Sequence, residues 1–262
     1  MSDFIKSTID ERGIATLLID RPDRRNAMSF SMLGAFIDTV ARLGADPSVR
    51  VVVVTGGDQG AFCAGTDLSD LNSIPGKERG LRGSAQDSGR WWPLLKCPKP
   101  VIGAIDGPAV GMGAEYTSQC DIRIATPRAR FAWNFVHRGL VPDTGAGTWL
   151  LPRLVGPQKA LQLLYSGEFL SAEDAYTIGY VAQLVEPEDL LAAAYAEAEK
   201  YLRGSPFAIT RIKALAYEGL ERTAAEHMAA HTAALKECFG SNDHQEGVSS
   251  FLEKRAPRFT GT

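Results

Sequence analysis

From Ser29 onward the apolar residues Leu33, Phe36, Ile37, Val40 and Leu43 recur at spacings of three and four, which predicts an amphipathic helix with one buried face. Strand signals flank it. Residues 14–20 form a compact apolar run closed by Arg21-Pro22-Asp23, and residues 51–54 are all valine, bounded by Gly56 and Gly57. A β-branched run without polar alternation reads as a strand covered on both faces and therefore parallel to its neighbours. Residues 101–105, 121–125 and 181–185 read as further strands, and residues 112–119, 157–165 and 173–177 as helices. Beyond Glu188 the pattern turns helical, at 190–202, 206–220, 223–239 and 244–254. The expectation is an α/β fold over about the first 200 residues, then a helical C-terminal region, with residues 72–90, rich in Gly, Ser and charge, forming a loop or irregular helix near a site.

Composition narrows the partners. Against 31 acidic residues stand 28 basic ones, a net charge of −3, too even to suggest a nucleic-acid or membrane-surface partner, so a small-molecule substrate is expected. The first ten residues carry Asp3 and Lys6 and no sustained apolar stretch, so neither a signal peptide nor a membrane helix is expected and the protein is placed in the cytoplasm. Cys63, Cys97, Cys120 and Cys238 form no CxxC pair or cluster with histidine, which argues against a disulfide framework or a zinc site. His227 and His231 make an i, i+4 pair without a third ligand and read as a solvated or interface face. There is no GxSxG elbow, and the glycine-rich run 55–60 is not followed by a complete nucleotide fingerprint, leaving a Rossmann dehydrogenase a distant alternative.

Two turns carry candidate chemistry. The first, Ala-Phe-Cys-Ala-Gly-Thr-Asp-Leu at 61–68, leaves a buried strand through small residues where backbone amides can approach a ligand. It also reads as a plain turn. The second, Gly-Pro-Ala-Val-Gly-Met-Gly-Ala-Glu at 107–115, runs from a strand into a helix, placing unpaired amides at the positive helix end, where a developing negative oxygen is favoured. Glu115 lies one turn in, suited either to chemistry or to the helix dipole alone.

Together with Arg21-Pro-Asp-Arg-Arg-Asn-Ala-Met28, the segment 99–125, Gly139-Leu-Val-Pro-Asp143 and the stretch 246–259, these turns resemble the crotonase, or enoyl-CoA hydratase/isomerase, superfamily over nearly the whole chain. The resemblance implies a crotonase-like spiral of ββα units at 1–200 holding a CoA-ester site, and a helical region at 201–262 for packing into a homotrimer or dimer of trimers. It implies an acyl-CoA thioester substrate and no cofactor, coenzyme A being part of the substrate. The oxyanion-hole amides fall on Thr66 and Met112. Ala27, Ala64, Asp67 and Leu68 fall along the adenosine and pantetheine path, with Arg25 toward phosphate. Trp91, Trp92, Trp133 and residues 72–90 would line the acyl pocket, and Phe251, Lys254 and Phe259 would either reach a neighbouring subunit's CoA site or serve packing and surface charge.

The acid/base positions select the reaction. Glu115 matches the first of the family's two hydratase glutamates, but the second falls on Phe135, whose phenyl ring can neither activate water nor deliver a proton. Asp143, eight residues on, resembles the proton-transferring aspartates of dienoyl-CoA and epoxyphenylacetyl-CoA isomerases; alternatively it initiates a turn and caps a helix beginning near Thr144. The favoured expectation is double-bond isomerisation by carboxylate proton transfer at Asp143 and Glu115, with Trp133 and Phe135 keeping the pocket dry. The alternatives are a hydratase using Glu115 with Asp143, direct attack by Asp143 as in the family's aromatic dehalogenase, and a noncatalytic acyl-CoA-binding protein.

Overall fold

The computed structural model describes residues 3–72 and 92–262, the side chains of residues 71 and 72 excepted. Its strands are β1 (Ile5–Ile9), β2 (Ile14–Ile19), β3 (Val51–Thr55), β4 (Val101–Ile105), β5 (Pro108–Val110), β6 (Ile122–Ala125), β7 (Arg130–Ala132), β8 (Leu170–Ser171) and β9 (Gln183–Leu184). The longer helices are α1 (Phe30–Ala45), α2 (Met112–Gln119), α3 (Pro157–Ser166), α4 (Leu190–Leu202), α5 (Pro206–Glu218), α6 (Ala224–Phe239) and α7 (Asn242–Leu252).

The valine run becomes the centre of the main sheet, whose order is β1-β2-β3-β4-β6-β9 and whose pairings are parallel except for β1 on β2. Side chains alternate across a strand, and β3 shows both destinations. Val52 and Val54 join Phe36, Val40 and Leu43 of α1 on one face, while Val51 and Val53 join Ala194 and Ala198 of α4 on the other. This double cover is why the run carries no polar alternation. Ser29 caps α1 by accepting from the Met32 amide at 3.2 Å.

A second sheet, β5-β7-β8, was not legible in the sequence. β5 read as a turn because its three residues start at a proline, and β8 is two residues long. β1 also escaped, since Lys6, Ser7 and Thr8 interrupt any apolar run. The strand expected at 181–185 shrinks to β9. The helix expected near Thr144 begins at Ala146 behind Gly145, with no side-chain cap, so Asp143 does not act as its cap.

The C-terminal helices differ from the sheet. Neither α5 nor α6 buries a residue, and Ile212, Met228 and Phe239 stand more than half exposed. α5 is nonetheless tied to the sheet: Lys213 donates to Asp121 Oδ2 at 2.8 Å and to the Lys99 carbonyl at 3.0 Å, and the Tyr217 hydroxyl donates to Asp121 Oδ1 at 2.8 Å. Among the described residues, no helix is long and apolar enough to cross a membrane.

Candidate active site

Backbone pairing draws the two turns and the 25–28 segment together. Met28 donates to the Gly65 carbonyl (2.8 Å) and the Asp67 amide to the Met28 carbonyl (2.9 Å), while Ala64 donates to the Arg25 carbonyl at 3.0 Å. Alternation along an extended chain then turns the Thr66 N–H away from this pairing. On the other side, Cys63 donates to the Pro108 carbonyl (3.1 Å) and Val110 to the Cys63 carbonyl (2.9 Å), bringing the start of α2 against the first turn. The approach requires glycine: a Cβ on Gly113 would lie 2.1 Å from the Cys63 carbonyl oxygen, and one on Gly65, at φ +94°, 2.8 Å from that of Val110. Thr66 and Met112 thus become neighbours, their Oγ1 and Sδ atoms 4.0 Å apart. Met112 is the first residue of α2, so its amide has no intrahelical acceptor.

Glu115, one turn into α2, is fully buried. Its Oε1 accepts from the Gly147 amide at 2.7 Å and its Oε2 from the Thr144 amide at 3.1 Å. The same turn brings the Asp143 carboxyl within hydrogen-bonding reach of Glu115. Burial first, then the Asp143 charge and its hydrogen bond, push Glu115 well above the ordinary carboxylate range. Asp143 is an exposed residue of the turn, with its carboxyl facing Glu115. Burial raises it as well, while the hydrogen bond from Glu115 works to keep it ionised.

Phe135 packs beside this pair of turns, its ring 3.7 Å from where a Cβ on Gly111 would stand, and is 8 % exposed. Trp133 was expected to line the acyl pocket. It is wholly buried, edge-on to Tyr180 at 5.4 Å, and lies beneath the turn at Gly147. Asp67 is at the site but its carboxylate is already engaged: Oδ1 accepts from the Ser69 hydroxyl (2.6 Å) and amide (3.0 Å), Oδ2 from Arg21 Nη1 (2.8 Å), and these bonds hold it below the usual range. Arg25 is exposed at φ 50°, Ala27 and Ala64 are half-buried beside it, and Leu68 is exposed at the start of the short helix Leu68–Asn72. Phe251 and Lys254 stand exposed at the end of α7, and Phe259 folds back against Gly247. Residues 73–90 and Trp91, expected near the acyl pocket, lie outside the described residues.

Three contributors escaped the sequence reading. Asn26, at φ 58°, is buried and fastens the site loops: Nδ2 donates to the Gly56 (3.0 Å) and Ala61 (2.7 Å) carbonyls, and Oδ1 accepts from the Arg21 amide at 2.7 Å. Thr144 and Gly147 act through main-chain N–H groups, which every residue but proline has, so only the glycine's small size gave any signal. A Cβ on Gly147 would come 3.0 Å from Pro142 and 3.1 Å from the Trp133 ring. Among the described residues, no cluster of His, Cys, Asp and Glu could hold a metal ion.

A mostly parallel sheet whose exits place a helix N-terminus against a second amide turn, with a buried carboxylate below, fits the crotonase class of enzyme. The model of the enoyl-CoA hydratase/isomerase family matches residues 10–262, and the chain belongs to that family. It is 37% identical over 270 residues to the 1,2-epoxyphenylacetyl-CoA isomerase of Escherichia coli, with 100% of each chain covered. It is 36% identical over 253 residues to the crotonyl-CoA hydratase of Syntrophomonas wolfei, with 95% of each covered. The fold superposes on the enoyl-CoA hydratase of Bacillus anthracis with a TM-score of 0.92 at 28% identity, covering 99% of this chain and 100% of that one.

Proposed function

We propose that the protein moves a double bond in an acyl-CoA thioester by proton transfer, with no cofactor beyond the coenzyme A of its substrate. The supporting observation is that buried Glu115 is held by the Thr144 and Gly147 amides of the turn that also carries Asp143, whose carboxyl lies within hydrogen-bonding reach of it; in this reading the pair shares one proton, held by Glu115. In this reading the thioester oxygen lies between the Thr66 and Met112 amides, which take up negative charge as an α- or γ-proton leaves to ionised Asp143. Protonated Glu115 delivers its proton to the other end of the allylic system. The cycle closes when Asp143 returns the acquired proton to Glu115 across their hydrogen bond, so no proton is gained or lost overall. Arg25, Ala27, Ala64 and Leu68 flank the CoA path, to which Asp67 contributes through its turn rather than its engaged carboxylate. The exposed apolar side chains of α5 and α6 support assembly of several copies, as a trimer or dimer of trimers.

Hydration with Asp143 as the second carboxylate is favoured by one finding, the similarity to a crotonyl-CoA hydratase. Phe135 weighs against it, since the resemblance sets this residue at the second glutamate position and a phenyl ring can neither activate water nor deliver a proton.

The test is incubation with 2-enoyl-, 3-enoyl- and dienoyl-CoA esters in deuterated water, with mass analysis of products. An isomerised product without the mass of water supports the proposal, the deuterium content reporting only how far the carboxyl protons exchange with solvent between turnovers; a hydroxyacyl product replaces it with hydration. Asp143→Asn should lower kcat by roughly 10²–10⁴-fold with KM nearly unchanged, and unchanged turnover would remove Asp143 from the chemistry.

A further inference from the structure

The turn at 142–147 supplies Asp143 and both amides that hold Glu115, yet its own hydrogen bonds are long: Gly145 N to the Pro142 carbonyl and Ala146 N to Thr144 Oγ1, each 3.3 Å. Its shortest tie to another segment through the Thr144 carbonyl comes from Trp92, whose indole Nε1 donates at 2.8 Å. The same ring stacks on Trp149 (centroids 5.1 Å, planes at 30°) and lies 3.9 Å from where a Cβ on Gly145 would stand. Trp92 packs in an apolar cluster with Leu95, Ala146, Leu150 and Tyr217, and Tyr217 is bonded to Asp121 of the sheet. The indole is therefore held from behind while its N–H grips the turn.

We infer that Trp92 is a positioning residue for proton transfer: its hydrogen bond to the Thr144 carbonyl sets the turn so that the Thr144 and Gly147 amides face Glu115 and the Asp143 carboxyl meets it. The inference rests on the proton-transfer reading of Glu115 and Asp143. It assigns Trp92 a role separate from forming a wall of the acyl pocket, which would act on binding.

The two roles separate in kinetics. Trp92→Phe keeps an aromatic ring for the stack and deletes the donor; kcat is expected to fall about tenfold with KM within twofold of wild type. Trp149→Phe keeps both the stack and the Trp92 donor, and kcat should stay within about twofold. In hydrogen exchange, the Thr144 and Gly147 amides should lose protection in Trp92→Phe and keep it in Trp149→Phe. An unchanged kcat in Trp92→Phe, a rise in KM alone, or an equal loss of kcat in Trp149→Phe would overturn the inference. Failure of the underlying reading shows separately, as undiminished turnover in Asp143→Asn with tryptophans intact.

Discussion

Glu115 in the sheet region and Asp243 in the C-terminal helices are both buried carboxylates, 0 % and 2 % exposed, yet their surroundings drive them in opposite directions. Glu115 receives one amide on each oxygen and faces Asp143, so burial and the neighbouring charge raise it. Burial would raise Asp243 too, but four donors outweigh it: the Ser205 hydroxyl (2.6 Å) and the amides of Thr260 (2.7 Å), Gly261 (3.0 Å) and Phe207 (3.4 Å). No acid stands against it in that group, and it is held below the usual range. Partner sets decide the direction in which a buried acid shifts, and at Asp243 they make a clasp. Asp243 fastens the chain end at 260–262 to the starts of α5 and α7.

The largest expected effect follows from removing the clasp. Asp243→Ala leaves the Ser205 hydroxyl and three amides short of an acceptor and should cost on the order of 3 kcal/mol in urea unfolding. A cost below about 0.5 kcal/mol would mean that these bonds are replaced by water and that the contrast with Glu115 has no energetic content.

Next in size is the pH dependence of stability, where the two acids have opposite signs. Asp243 is depressed in the folded state, so its contribution is present above the unfolded value and is lost as pH falls through the folded one. Glu115 is raised, so the unfolded chain ionises first and stability declines as pH climbs from the ordinary glutamate range toward the folded value. Each tenfold difference in proton affinity is worth about 1.4 kcal/mol. Urea titrations across pH should show Asp243→Asn flattening the acid side alone and Glu115→Gln the alkaline side alone. A parallel response in both variants would break the comparison.

How much of this was legible varies with the kind of atom involved. The valine run, the α1 spacing and the helix at 112–119 were readable because side-chain pattern and burial are the same fact. Glu115 and Asp143 could be placed through the resemblance, and the structure brings them into contact. The clasp was not legible: Asp243 is one acid among 31 in the sequence, and its donors are mostly amides brought in by folding. The Thr144 and Gly147 amides were hidden for the same reason, as was the hydrogen bond from Trp92, which ends on a main-chain carbonyl. At Asp67, expected along the CoA path, the engagement of the carboxylate by Arg21 and Ser69 was equally hidden, because it too is assembled by folding.

Ser205 offers the finest probe of the contrast. Its hydroxyl donates to Asp243 and also caps α5 by accepting from the Ala208 amide at 3.1 Å. Ser205→Ala removes both bonds and should cost about 1–2 kcal/mol, most of it a capping loss common to any helix. The informative part is the acid side of the stability profile. If donors hold Asp243 down, losing one of four must move its titration upward toward the ordinary aspartate range, and the acid decline should begin at higher pH than in wild type. If capping alone matters, stability drops equally at every pH and the acid limb stays in place. The carboxyl carbon shift of Asp243, followed by NMR through the same titration, separates the two outcomes at the residue itself.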